Sequence, residues 1–306
     1  MTTQLDAFLQ RAMQFMDRLE DILPGPIQPP DWTASVAFRY RKRSSGRGML
    51  EPVHHIADIR LDDIQAIEDQ KERLVRNTRQ FVQGQLANNV LLTGARGTGK
   101  SSLVKACLRQ FADKGLRLIE VDKTDLIDLP DLVSCVSGRP EKFIIFADDL
   151  SFDEGEGGYK ALKSILDGSV SASGANILIY ATSNRRHLLP EYIADNDSYR
   201  HTEQGELHPG EAVEEKISLS ERFGLWLSFY PFSQDEYLAI VRQWLQHFGV
   251  SSPRQTEAAR AQALVWALER GSRSGRVAYQ FARDYAGQVG LQPDNTDHTS
   301  GRGQHD

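Results

Sequence analysis

The run Leu91-Leu92-Thr93-Gly94-Ala95-Arg96-Gly97-Thr98-Gly99-Lys100-Ser101-Ser102 contains, from Gly94 to Ser101, the complete pattern G-x-x-x-x-G-K-[ST]. That pattern works only between a strand and a helix, and its flanks supply both. Asn89 to Thr93 reads as a buried parallel strand, and Leu103, Val104 and Leu108 give the following helix an apolar stripe. A glycine-rich turn with a chance lysine would lack this context. The glycines let the backbone close on an anion with successive N–H groups turned inward. The helix N-terminus adds partial positive charge. Gly94, Ala95, Arg96, Gly97, Thr98, Gly99, Lys100, Ser101 and Ser102 are therefore the candidate phosphate contacts. Lys100 is placed for the β- and γ-phosphates and Ser101 for Mg²⁺. The expectation is a chain that binds a nucleoside triphosphate.

Composition narrows the class. The chain of 306 residues is long enough for one α/β domain, a smaller helical domain and a tail. Its formal net charge of -6 does not describe a protein coated in basic charge for nucleic acid. Cys107 and Cys135 are the only cysteines, too few for a disulfide framework and without metal-site spacing. No run of eighteen apolar residues and no secretory leader pattern is present, so a cytoplasmic location without membrane contact is expected.

Four regions are expected along the chain. Residues 1–54 carry an N-terminal helix, with Leu5, Phe8, Leu9, Met13, Met16, Leu19 and Ile22 at helical spacing, then a Pro-rich and basic linker. In that linker Phe38 and Tyr40 interleave with Arg39, Arg41, Lys42, Arg43 and Arg47. Aromatic and cationic groups together suit nucleic acid, but so short a run fits a solvated linker better. Residues 55–232 form an αβα nucleotide-binding core, opened by a helix over 64–82. Its strands are 89–93, 116–121, 142–147, 176–182 and 225–230, separated by helices, which implies a parallel sheet in three layers. Residues 233–290 are helical, beginning at the capping box Ser233-x-x-Glu236 and continuing through helices over 257–270 and 276–287. Residues 291–306 are polar and read as a disordered tail.

The apolar strand Phe143-Ile144-Ile145-Phe146-Ala147 ends in Asp148-Asp149. Charges cannot sit mid-strand in a buried sheet, so they emerge at its C-terminal end, where such sheets bind ligands. Asp148 is placed to hold Mg²⁺, and Asp149 to accept a proton from the attacking water or to orient it. Alternatively, Asp149 caps the turn that follows. The next strand ends at Thr182-Ser183-Asn184, where a polar amide can bond the γ-phosphate or the water. Asn184 fits that task, with Thr182 and Ser183 as weaker candidates. Arg222 and Arg276 are candidates for neutralising transition-state charge.

Taken together these residues resemble the AAA+ ATPases, and within them a bacterial family of ATP-binding proteins catalogued as a domain of unknown function. The resemblance covers roughly residues 55–290. Its carrying segments are Asn77-Thr78, Gly94 to Ser102, Asp148 to Phe152, Tyr180 to Leu188, Glu215 to Leu225 and Ser274-Gly275-Arg276. It implies an α/β fold: a three-layer αβα P-loop NTPase core with a parallel sheet in the order 5-1-4-3-2, plus a small C-terminal helical lid. It also implies ATP and Mg²⁺ as cofactors, with Ile59 to Ile64 lining the adenine pocket. Asn184 would be a first sensor, Arg276 a second sensor, and Arg222 a finger given to a neighbouring subunit, hence a homo-oligomer. Arg185 and Arg186 compete for the finger role, and Arg273 for the second sensor. Asp149 stands where this class usually has Glu, which is one methylene longer, so slow or partner-dependent hydrolysis is expected.

The leading reading is an Mg²⁺-dependent ATPase that remodels or loads a protein partner. The acidic and polar segment 191–215 is either the partner-contacting insertion or a disordered loop. The alternative is a slow ATP-gated switch that binds nucleic acid or a helicase-type machine. A small-molecule kinase is a third possibility, without a visible second-substrate motif.

Overall fold

A strand buried on both faces is written as a continuous apolar run, and the sheet is built from such runs. The computed structural model describes residues 10–16, 27–42, 48–152, 157–168, 176–184, 200–201, 207–208, 219–250 and 253–290. Of the expected N-terminal helix, residues 10–16 are described and are helical (α1). The chain divides into two compact units. The first holds residues 1–61, 69–94 and 100–228, and the second holds 62–68, 95–99 and 229–306.

The first unit carries strands β1 (Ala37–Lys42), β2 (Gly48–Pro52), β3 (Val90–Gly94), β4 (Leu116–Glu120), β5 (Lys142–Ala147) and β6 (Ile177–Ser183). Arg200–His201 (β7) and Leu207–His208 (β8) form a separate antiparallel ladder, and β9 (Leu225–Phe229) completes the main sheet. The sheet runs β2-β1-β4-β5-β6-β3-β9. Read from β9 to β4, this is the expected order 5-1-4-3-2.

The two further strands beyond β4 come from residues expected to be linker. β1 runs parallel to β4, and β2 pairs antiparallel with β1. The interleaving of aromatic and basic residues is a strand's two-residue alternation. Phe38 and Tyr40 are buried on one face and Arg39 and Arg41 lie on the other, while Lys42 is exposed at the strand end on the face of Tyr40; all three cations pair with carboxylates. Arg39 lies 2.9 Å from Glu120, Lys42 3.0 Å from Asp128 and Arg41 3.7 Å from Glu51. Trp32 joins this edge to the core, its ring edge-on to both Phe38 and Phe143. Asp128 also accepts from the Tyr40 hydroxyl, and burial next to that carboxylate pushes the phenol pKa up.

Helices α2 (Glu68–Val82), α3 (Lys100–Phe111), α4 (Leu129–Val136) and α5 (Gly157–Leu166) cover the sheet. Ile145, Ala147, Ile179 and Ala181 share one core cluster with Leu129, Leu132 and Val136 of α4 and Leu162 and Ile165 of α5. On the other face Tyr180 meets α2. Its hydroxyl accepts from Asn77 Nδ2 at 3.1 Å and shares a 2.8 Å hydrogen bond with Thr78 Oγ1. Three layers result, as expected.

The second unit carries α6 (Gln234–His247), α7 (Pro253–Glu269) and α8 (Gly275–Gln288), with α8 packed on the other two. Ser233 and Glu236 form the expected capping box. Ala259, Ala263 and Ala267, one helical turn apart, are buried along α7 and let a neighbour approach closely. The Tyr237 hydroxyl donates to the Ala263 carbonyl at 3.1 Å. The core and helical regions expected from the sequence were continuous, but here residues 62–68 and 95–99 group with the C-terminal helices.

Candidate functional site

Register brings the strand tips of the first unit together. Thr93 pairs with Ser183, Leu92 with Thr182, and Ala147 with Ala181. Gly94 is the last residue of β3, and Asp148 and Asn184 follow directly after β5 and β6 at the same carboxyl end. Charged groups gather here because the strand interiors admit none.

Lys100 opens α3 and is buried. Its ammonium donates to the Gly94 carbonyl at 2.7 Å and to Asn184 Oδ1 at 3.1 Å. The Ser101 hydroxyl donates to Asp148 Oδ1 at 2.6 Å. The amide of Asn184 donates in turn to Asp149 Oδ1. Asp149 has φ of 53°, a left-handed conformation uncommon outside glycine and more open to Asp and Asn than to most residues. Its N–H donates to Thr182 Oγ1 at 2.9 Å, so it does not sit in an ordinary extended strand end. Lys100, Ser101, Asp148, Asp149 and Asn184, expected at one place, thus form two hydrogen-bonded groups, Lys100–Asn184–Asp149 and Ser101–Asp148, and Thr182 joins them by also donating to Asp148 Oδ1.

The second unit holds the loop residues Ala95 to Gly99. Thr98 Oγ1 donates to the Ala95 carbonyl at 2.8 Å, closing the turn. Gly97 and Gly99 have φ of 73° and 95°, values that favour glycine. The Gly275 amide donates to the Gly97 carbonyl at 2.8 Å. A Cβ on Gly97 would fall 2.7 Å from Ser274 Cβ and 3.7 Å from Arg276 Cβ. Ser274 caps α8 by accepting from the Val277 amide, so Arg276 rises from the turn that touches the loop. On its other side Gly99 faces the buried side chains of Ile64 and Ile67. Ile64 belongs to the segment expected to line an adenine pocket, and Gln243 of α6 donates to the Asp62 carbonyl at 2.9 Å in that segment. Arg96 and Arg273 are exposed, and Ser102 lies half-buried on α3.

Arg222 is 24% exposed, and its Nε donates to Asp167, just past α5. Nothing in the sequence spacing points to that partner. Arg185 and Arg186 lie outside the described residues, as does most of segment 191–215 and the whole of 291–306. Thr182, ranked below Asn184 from the sequence, bonds both acids, donating to Asp148 Oδ1 and accepting the Asp149 N–H.

The donor set at Ser101 and Asp148 is a hydroxyl and a carboxylate, hard oxygen ligands of the kind Mg²⁺ takes alongside phosphate and water. Those residues fit the cation. Among the described residues, no helix is long and apolar enough to cross a membrane.

The family described as "Protein of unknown function (DUF815)" matches residues 33–289. No curated protein matches the sequence. Among solved structures, one form of Thermotoga maritima RuvB is similar, with a TM-score of 0.52 and 16% identity. That alignment covers 79% of this chain and 70% of the RuvB chain. A second form of the same protein gives 0.51 and 15%, over 78% and 68%. Aeropyrum pernix ORC1, solved in complex with DNA, gives 0.47 and 16%, over 75% and 67%.

Proposed function

The chain belongs to the DUF815 family and has the AAA+ fold, and from that premise we propose that it binds ATP with Mg²⁺ and hydrolyses it to move a protein partner. The observation that carries this reading is the set of Lys100, Asn184, Asp149, Asp148 and Ser101, in which the Lys100–Asn184–Asp149 chain and the Ser101–Asp148 pair are joined through the Thr182 hydroxyl. Each member has a task in phosphoryl transfer to water. The loop amides and Lys100 hold the β- and γ-phosphates. Ser101 and Asp148 hold Mg²⁺, which when bound neutralises phosphate charge and orients the γ-phosphate. Asp149 takes the proton of the attacking water, and Asn184 fixes that carboxylate while bridging to Lys100. Arg276 supplies positive charge beside the loop, and Arg222 acts on the nucleotide of a neighbouring copy in a homo-oligomer.

In the competing reading a slow switch grips nucleic acid through residues 39–47. Arg39, Arg41 and Lys42 each pair with a carboxylate, in pairs open enough for a phosphate to displace it. Arg43 and Arg47 lie outside the described residues, so salt-dependent DNA binding separates the two readings. Phosphate release from ATP by the full chain, with Mg²⁺ and with a chelator, tests the proposal. Release that needs both Mg²⁺ and Lys100 supports it. A chain that binds no ATP at millimolar concentration overturns it.

A further inference from the structure

Thr182 is the penultimate residue of β6, with 1% of its surface exposed, and its side chain touches both acids at the tip of β5. Its hydroxyl donates to Asp148 Oδ1 at 2.5 Å and accepts the Asp149 N–H at 2.9 Å. Its carbonyl accepts the Leu150 N–H at 2.7 Å. The next side chain, Ser183, donates to the Leu150 carbonyl at 2.7 Å. Two consequences follow. Asp148 Oδ1 already receives the Ser101 hydroxyl at 2.6 Å, so two hydroxyls on one oxygen fix the rotation of that carboxylate. Asp149 is held at a φ of 53°, a conformation that costs about 1–3 kcal/mol and persists only where its surroundings impose it. The Thr182 hydroxyl on its amide is part of that imposition.

We infer that Thr182 is a positioning residue, whose one hydroxyl sets Asp148 toward the cation and locks the turn that presents Asp149. This rests on the Mg-ATP reading above. Valine has the same shape without the hydroxyl, so it would free the Asp148 carboxylate to rotate and leave the Asp149 N–H without that acceptor. Serine keeps every bond. Outer groups that orient a metal-binding carboxylate typically change metal affinity by about 10–100-fold when removed.

The test is binding of a fluorescent ATP analogue to the full chain, titrated in Mg²⁺ and in chelator, with Mn²⁺ affinity followed by electron paramagnetic resonance. In Thr182→Val the gain in affinity that Mg²⁺ gives should shrink by about tenfold or more, with affinity in chelator unchanged. Thr182→Ser should restore the gain, and Thr182→Cys, with its weaker donor, should fall between. That graded order decides the matter if the valine variant does not fold. A Thr182→Val protein with the wild-type Mg²⁺ gain overturns the inference, as does equal loss with and without Mg²⁺. A wild-type chain with no Mg²⁺ gain at all removes the functional reading beneath it.

Discussion

The Gly275 amide donates to the Gly97 carbonyl at 2.8 Å, which fastens the first turn of α8 to the middle of the phosphate loop. The contact is close because neither residue has a side chain. Replacing Gly97 by alanine would introduce two faults. Its φ of 73° would strain an L-residue by about 1–2 kcal/mol, and the new methyl would lie 2.7 Å from Ser274 Cβ. Gly97→Ala should therefore weaken nucleotide binding roughly tenfold, the factor that about 1.4 kcal/mol corresponds to. Adding Ser274→Gly removes the collision but not the strain, and glycine also caps a helix nearly as well. The double variant should recover part of the loss in a fluorescent ATP titration. Wild-type binding by Gly97→Ala would mean that the loop does not need this contact.

Asp149→Asn separates geometry from chemistry. Asparagine tolerates the left-handed backbone that Asp149 adopts, so the turn should persist and nucleotide should still bind. The proton acceptor is lost, and single-turnover hydrolysis should fall by about 10²–10⁴-fold. Unchanged turnover would move the general base elsewhere.

These expectations came from parts of the chain that differ in legibility. The central strands β3, β5 and β6 were readable because burial on both faces demands nearly unbroken apolar runs, as in Phe143 to Ala147, whereas β4 and β9 show only partial burial and were legible from their bulky apolar residues. β1 was harder to see, since an outer strand alternates and Arg39, Arg41 and Lys42 look like a charge run until Glu120, Glu51 and Asp128 are placed opposite them. The grouping of residues 62–68 and 95–99 with the C-terminal helices had no local signal. It depends on contacts such as Gly97 with Ser274 and Asp62 with Gln243, made between residues about 180 apart. Thr182 was visible as a polar residue closing a buried strand, but its two partners become apparent only from the register of β5 against β6.

Arg222 is held by Asp167, and their side chains are 24% and 46% exposed. Pairs this open contribute about 0–1 kcal/mol, so a phosphate offered by a neighbouring copy can displace the carboxylate. Arg222→Ala should keep ATP binding and lose turnover by about 10³-fold or more. Lys100→Ala should lose binding itself. Mixing these two inactive proteins should restore phosphate release, because one supplies the loop and the other the arginine. A mixture as inactive as its parents would show that Arg222 does not act across subunits.

Asn77, Thr78 and Tyr180 form a buried polar knot under the loop strand. Asn77 also clasps Asn88, donating to its carbonyl at 2.9 Å and accepting its N–H at 3.0 Å, just before β3 begins. Tyr180→Phe removes the hydroxyl that both buried neighbours use, while Thr78 still donates to the Leu74 carbonyl at 2.8 Å and Asn77 keeps its bonds to Asn88. A hydrogen bond lost in this way costs about 0.5–1.5 kcal/mol, so the thermal midpoint of the first unit should drop by a few degrees. Thr78→Val alone should also destabilise, since it takes away the other end of the same bond. The double variant Tyr180→Phe, Thr78→Val removes both hydroxyls at once and should cost clearly less than the two single losses added together. Strict additivity in calorimetric or denaturant unfolding would show that the two hydroxyls do not act as a pair. The Asn77 clasp on Asn88 would then be the only polar tie that this knot provides between α2 and the strand leading into the phosphate loop.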